Sequence, residues 1–292
     1  MTHSSPSPSP QPGLYLVATP IGHARDITLR ALDVLSAADV IAAEDTRVTL
    51  SLLTLHGITP RRLIPYHDHN GAAQRPKVLE ALAAGQVVAL VSDAGTPLIS
   101  DPGYRLVQAV VAAGHPVTAL PGASSVLTAL QLSALPSDCF TFAGFLDTKP
   151  TKRRRQLQDL AATPGTILLF ESAQRLADSL ADMATVLGDR PAAVARELTK
   201  KFEEVRRDRL KPLAQHYADA GPPRGEVVVV IGPADQDAAP AIDLDAALHM
   251  ALQEHSVRDA ADRVAAATGL KRREVYARAL ALTDQAERDG EG

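Results

Sequence analysis

Residues 87–103 read VVALVSDAGTPLISDPG, and this stretch decides the fold. An apolar run rich in β-branched residues (87–91) stops at Ser92. A loop follows that is dense in turn formers: Asp93, Gly95, Thr96, Pro97, Ser100, Asp101, Pro102 and Gly103. In YRLVQAVVAAG (104–114), Leu106, Val107, Val110 and Val111 then recur at helical spacing. The pattern predicts a buried strand, a long polar loop and a helix, with Asp101 as N-cap and Pro102 at the first helical position. In an open α/β sheet such a loop lies off the carboxyl end of its strand, where ligands bind.

Working outward, strand and helix patterns alternate. Strands are expected at 14–18, 40–43, 63–67, 87–91 and 116–120, with helices between them, so a mostly parallel sheet covered on both faces is expected. A second unit begins near Pro136 with FTFAGFL, a basic helix from Lys152, TILLFES, a helix over 175–187, AAVAREL and EVVVVIG (226–232). Beyond a Pro/Ala-rich linker, VRDAADRVAAATGLKRREVYARALAL outlines two helices joined at Thr268-Gly269, as in a helix-turn-helix. The expected division is a Ser/Pro tail (1–12), an N-terminal α/β domain (13–135), a second α/β domain (136–233), a linker (234–242) and a helical module (243–292).

Composition narrows the function. The chain has 292 residues, 46% of them hydrophobic and 22% charged, as in an ordinary soluble protein. Aromatics are 3% and Trp is absent, which disfavours a base-stacking platform for single strands. The one cysteine, Cys139, excludes an internal disulfide and a cysteine-based zinc site. No apolar run approaches ~18 residues and the N-terminus lacks a signal-peptide pattern, so a cytoplasmic protein is expected. The net charge of −4 is uneven: residues 149–211 hold 14 Lys/Arg against 9 Asp/Glu, a net of +5, a footprint for a polyanion or a solvated set of ion pairs.

The glycines match neither G-x-G-x-x-G nor a P-loop. The chemistry-bearing residues sit instead in loops after predicted strands: 19–22, 44–47, 92–103, 121–125, 171–175 and 197–200. Glu44, Asp45, Asp93, Asp101, Glu171 and Glu197 are polar site candidates, each with a cap or an ion pair to Arg47, Arg175 or Arg196 as the plainer explanation. Ser124 and Ser125 at a helix start suit an anion or simple capping. His67-Asp68-His69 carries two imidazoles, but alternating residues of a strand face opposite ways, so a metal is not expected.

Taken together, LYLVATPIG, ARDIT, VIAAEDTR, YHDHN, VALVSDAGTPLISDPGYRLV, ALPGASSVLTAL, FAGFL and ARELTK resemble the 16S rRNA ribose 2′-O-methyltransferases of the tetrapyrrole methylase superfamily. The likeness is collinear over residues 14–232, and the C-terminal helices fit it. It implies two α/β domains with S-adenosylmethionine (AdoMet) in the cleft between them, a homodimer, no metal, and the 2′-O-methylation of a decoding-centre cytidine in the small ribosomal subunit. By this likeness Pro20, Gly22, Asp93, Ala94, Gly95, Thr96, Ser124, Ser125, Phe170 and Ala195 hold the cofactor. His23-Ala24, Asp147 and Glu171-Ser172-Ala173-Gln174-Arg175 depart from the family pattern.

A sugar hydroxyl is a weak nucleophile and is helped by a proton acceptor. Glu197 or Glu171 could serve, and Lys200 only if burial lowers its pKa. Lys149, Lys152, Arg153, Arg154 and Arg155, with Arg206, Arg207, Arg209 and Lys211, would hold RNA phosphates. Two rivals are a methylase of small tetrapyrroles, which leaves the +5 segment unexplained, and a helix-turn-helix DNA regulator. Residues 241–292 carry 7 Lys/Arg against 10 Asp/Glu, poor for reading DNA.

Overall fold

A computed structural model of the protein describes residues 9–234, 244–268 and 270–290. Residues 1–8 of the expected tail, 235–242 of the linker and Gly269 of the helix-turn-helix junction lie outside them. The chain forms two compact units, Met1–Pro233 and Ala234–Gly292.

The first unit contains two sheets. The first alternates strand and helix: β1 (Gly13–Val17), α1 (Leu29–Ala37), β2 (Val40–Ala43), α2 (Thr46–Leu55), β3 (Leu63–Pro65), α3 (Gly71–Ala83), β4 (Val87–Val91), α4 (Tyr104–Ala112), β5 (Val117–Leu120) and α5 (Ser125–Ser133). All five strands are parallel, in the order β3-β2-β4-β1-β5. Period-two alternation sends Val17, Ile41, Ala89 and Val91 to one face, against Val34 and Leu35 of α1 and Leu53 of α2. Leu14, Ala42, Val88 and Leu90 go to the other, against Val78 and Leu82 of α3 and Leu106 and Val110 of α4. Each such fully buried Leu, Ile or Val stabilises the fold by about 1.5–3 kcal/mol.

Neighbouring strands β1 and β4 therefore lead into helices on opposite faces. That is a topological switch point, and the crevice at their carboxyl ends is the expected place for a ligand.

The second sheet comprises β6 (Phe140–Phe145), β7 (Thr166–Ser172), β8 (Pro191–Arg196), β9 (Glu204–Arg209) and β10 (Glu226–Ile231), in the order β6-β7-β10-β8-β9. It is mixed, unlike the first: β6 and β7 are parallel, while β10 and β9 run antiparallel to their neighbours. Helices α6 (Pro150–Ala161), α7 (Leu176–Leu187) and α8 (Leu210–Ala220) cover one face through Leu157, Leu180, Met183 and Leu213. The other face packs Leu168, Ala193, Ala195, Val228 and Val230 against Val126, Ala129 and Leu130 of α5, together with Ile21. A helix of the first half thus seals the second sheet, joining both halves in one core.

Three sequence expectations need correction. Asp101 is not the N-cap of α4, and Pro102 is not its first residue. The helix begins at Tyr104 behind Gly103, whose φ of 130° and close approach (a Cβ there would lie 2.7 Å from Leu90 Cδ2) suit only glycine. The strand expected over 63–67 ends at Pro65, so His67 and His69 lie in a turn with ring centroids 6.0 Å apart rather than on opposite pleats. No group of metal-ligating side chains occurs among the described residues. Strand β9 and helix α8 stand in addition to the elements expected from sequence.

The second unit holds α9 (Leu244–Leu252), α10 (Val257–Thr268) and α11 (Arg272–Gly290), packed around Leu248, Ala261, Val264, Val275 and Ala279. Arg272, part of the one basic spot there, is ion-paired to Asp262. Among the described residues, no helix is long and apolar enough to cross a membrane.

Candidate functional site

At the switch point the loop after β1 is clamped to the loop after β4. Thr19 and Gly95 exchange both backbone hydrogen bonds, at 2.9 and 3.0 Å, and Thr19 Oγ1 donates to Ser92 O. Gly95 sits at φ +79°, with Ile21 Cγ2 only 3.3 Å from where a Cβ would be. Leu98 and Ser100 are left-handed as well, at φ 74° and 64°, unusual for residues with side chains and costing about 1–3 kcal/mol each. Such strain is held by the surrounding bonds, among them Thr96 Oγ1 to Ala123 O at 3.0 Å.

This loop forms one wall of a cleft of about 410 Å³. Asp93, Ala94, Gly95, Thr96, Ser100 and Asp101 line it, with Ile21 and Glu44 from the neighbouring loops and Ser124 and Ser125 from the start of α5. Ser124 caps that helix, its Oγ accepting from Leu127 N. The opposite wall comes from the second sheet: Phe145, Phe170, Glu171, Ser172, Glu226 and Val228. Phe145 and Phe170 pack with ring centroids 5.3 Å apart.

Five carboxylate residues reach this cleft, which makes it an acidic site. Asp93 Oδ1 accepts from Asp45 N at 2.9 Å, and Glu44 Oε2 accepts more weakly from Asp93 N at 3.4 Å. Burial raises the Glu44 carboxyl above its ordinary value, although the bond from Asp93 N opposes this. Asp101 is pushed up to about 6, first by burial and then by the charge of Glu44, with a hydrogen bond from Ser92 working against both. Expected from sequence to cap a helix, Asp101 is instead the most perturbed acid of the site.

Other expected residues are placed differently. Glu197 and Lys200 do not line the cleft. They sit in a left-handed turn (φ 49° at Glu197), where Lys200 Nζ bonds Glu197 at 3.0 Å and Glu226 at 2.9 Å. Burial pulls the Lys200 ammonium down, but its bonds to Glu226 and Glu197 hold it above the usual lysine range, the wrong direction for a base. Lys200 also depresses Glu197. Gly22 packs beneath this turn rather than in the cleft, since a Cβ there would lie 2.5 Å from Lys200 Cγ and 2.9 Å from Leu198 O. Pro20 is likewise not in the cleft wall, and Ala195 lines a smaller neighbouring hollow with Ile21 and Ser125.

Glu171 is 3% exposed. Its Oε1 accepts from Ser172 N and from Arg175 Nε and Nη2, while Oε2 has no hydrogen-bond partner among the described residues. Glu226, half of the Lys200 clasp, escapes a reading of the sequence because it opens an apolar strand and no local motif marks it.

The basic segment divides into two classes. Arg153 is buried and paired with Asp182, so it does not face a polyanion, and Arg154 shares the same carboxylate from a more exposed position. Arg207 donates to Leu132 O, Arg206 pairs with Glu204, and Arg209 with Asp189. Lys149, Lys152 and Arg155 are exposed at the start of α6, with Lys152 only loosely near Asp147 at 3.9 Å.

Comparison with known proteins adds identity to this geometry. The family model for "Tetrapyrrole (Corrin/Porphyrin) Methylases" matches residues 13–214, and that for "RsmI C-terminal HTH domain" matches 238–283. The chain is 50% identical over 283 residues to the "Ribosomal RNA small subunit methyltransferase I" of Mesorhizobium japonicum, covering 97% of this chain and 95% of that one. Cobalt precorrin-4 methyltransferase has a similar fold, with a TM-score of 0.55 at 21% identity over 75% of this chain and 94% of that one. So does uroporphyrin-III C-methyltransferase from Thermus thermophilus, solved with S-adenyl homocysteine, with a TM-score of 0.52 at 22% identity over 75% and 97%.

Proposed function

The chain belongs to the tetrapyrrole (corrin/porphyrin) methylase family, and on that premise we propose that it is an AdoMet-dependent methyltransferase of small-subunit rRNA, acting on the ribose 2′-hydroxyl of a decoding-centre cytidine. The reading rests on one observation above the rest: an acidic cleft at the switch point of a chain half identical, end to end, to a ribosomal RNA small subunit methyltransferase.

The residues of the cleft fit the cofactor, which supplies an electrophilic methyl group on a cationic sulfur. Glu44, Asp93 and Asp101 favour positive charge there, Ile21, Phe170 and Val228 offer apolar contact, and the N-terminus of α5 at Ser124 and Ser125 suits a carboxylate. Gly95 lets the loop backbone approach a ligand without a side chain intervening. Asp101 is the proton acceptor of this proposal: it lines the cleft, and an acid titrating near 6 is ionised at neutral pH yet basic enough to share the hydroxyl proton. Glu171 and Arg175 hold the end of β7. A cytoplasmic homodimer working on ribosomal particles without a metal completes the proposal.

The test is transfer of labelled methyl from AdoMet to bare 16S rRNA, to small subunits and to a precorrin, followed by nucleotide mapping. Label on a ribose of 16S rRNA supports the reading. Label only on the tetrapyrrole, or on a base, overturns it.

A further inference from the structure

A second cavity of about 410 Å³ adjoins the cleft, and Asp101 belongs to the walls of both. Its remaining walls come from the turn after β3 and from the starts of α3 and α4. Three features there lack an internal partner. Arg75 Nε and His67 Nδ1 are buried with no hydrogen-bond partner among the described residues. Arg105 is exposed, and among the described residues neither it nor Arg75 makes an ion pair, although Asp68 and Asp101 share the same cavity. The N–H groups of Ala72, Tyr104 and Arg105, at the exposed starts of the two helices, have no acceptor among the described residues, and neither helix has a side-chain cap.

A buried Arg75 nitrogen that lacks a partner, a second arginine outside any ion pair and three free helix-start N–H groups together mark a place for an anion with several acceptor oxygens. Backbone N–H groups and an arginine fork match a phosphate in both geometry and charge. The two carboxylates in the wall do not oppose this, because a nucleotide also brings donors: ribose hydroxyls and exocyclic amines. Tyr104, 64% exposed, adds a face on which a base can stack.

We propose that this second cavity is a ribonucleotide subsite, in which Arg75 and Arg105 hold the phosphate adjoining the ribose presented to the cleft. The assignment rests on the rRNA reading above and deepens it. It also places the RNA contact away from α6, on the side of the first sheet. Asp101, at the junction of the two cavities, then faces the acceptor sugar from the cofactor side.

The test uses the full chain with two probes. Cytidine 5′-monophosphate and cytidine are titrated calorimetrically, and small subunits are methylated over a range of salt. The nucleotide is expected to bind at least tenfold more tightly than the nucleoside. Arg105→Gln, at an exposed position, and the double variant Arg75→Gln/Arg105→Gln are expected to remove that preference and to raise KM for subunits about tenfold. The double variant should lower the slope of log K against log salt by roughly 0.7 for each phosphate it no longer neutralises. AdoMet affinity should stay within about twofold, which shows an intact cleft. Equal binding of nucleotide and nucleoside by the wild-type chain, or an unchanged KM and salt slope in folded Arg105→Gln, overturns the assignment. A wild-type chain that prefers the nucleotide but leaves rRNA unmethylated overturns the functional reading instead and leaves the phosphate site standing.

Discussion

Arg153 Nη2 lies 2.5 Å from Asp182 Oδ2, with side chains only 5% and 6% exposed, so the third basic residue of a run that reads as an RNA patch is a bolt between α6 and α7. Its environment fixes its role. A charge this deep must be paired, and although Arg154 Nε holds Asp182 Oδ1 at 2.6 Å, the inner oxygen Oδ2 depends on Arg153.

With Arg154 still on the carboxylate, Arg153→Ala is expected to destabilise the protein by roughly 1.5–3 kcal/mol in urea or thermal unfolding. Neutralising Lys149, Lys152 and Arg155 together should leave stability within about 0.5 kcal/mol, since surface charges contribute little. If α6 touches RNA, the triple variant and not Arg153→Ala will show a flatter salt dependence of subunit binding. An unchanged salt slope in the triple variant would remove α6 from the RNA interface.

Gly95 leads to a second expectation. Its φ of +79° and the neighbouring Ile21 side chain make any Cβ unwelcome. Gly95→Ala should lower stability by about 1 kcal/mol and weaken AdoMet binding at least tenfold, with an unchanged far-UV spectrum. Calorimetric titration reads the affinity, and wild-type affinity in the folded variant would take this loop out of the cofactor site.

How much of this was legible in the sequence depends on where each signal is stored. The runs at 87–91 and 166–172 matched β4 and β7 to the residue, because short, mainly apolar stretches bounded by turn residues mark strands buried on both faces. Strand β9, EVRRDR, was invisible: it is an edge strand whose last four side chains are exposed, so its charges defend the edge and carry no apolar period. The loops of the cleft could be read, since turn residues after strands are local. The clasp of Lys200 with Glu226, the burial of Arg153 and the second cavity could not, for each joins residues brought together only by the tertiary fold.

Asp101 carries a pH dependence of known sign. Its folded-state pKa, about 6, lies above the ordinary 3.8, so its ionisation opposes folding. The penalty is absent below about pH 3.8, grows between there and about 6, and is fully present above. Asp101→Asn should then raise Tm at about pH 8 and give no gain at about pH 3.5. Methyl transfer by the wild-type chain should rise through about pH 6 with a slope near one, and the variant should lose both rate and slope. A variant that keeps the wild-type pH profile would exclude Asp101 as the proton acceptor.

Gly22 and Lys200 test a different part of the framework. Three atoms of residues 198–200 lie within 3.0 Å of the place a Gly22 Cβ would occupy, one of them the backbone oxygen of Leu198. His23 N also donates to Thr199 Oγ1 at 3.0 Å, so the loop after β1 and the turn after β8 are fitted to each other. Gly22→Ala should cost about 1–3 kcal/mol by overpacking. Lys200→Arg, which keeps the charge, should preserve the pH–rate profile, as expected of a positioning residue and not of a base.

The C-terminal unit offers the last test. Its helices close on their own apolar core, while both sheets and every residue of the cleft lie before Pro233. A chain ending at Pro233 should therefore fold and bind AdoMet with wild-type affinity. If residues 234–292 help to seat the enzyme on the ribosomal particle, the shortened chain will methylate small subunits with a raised KM and a nearly unchanged kcat, as expected when binding shared by ground and transition states is removed. Loss of AdoMet binding in a folded, shortened chain would mean that the cleft needs the helical unit, and an unchanged KM would mean that the unit does not touch the substrate.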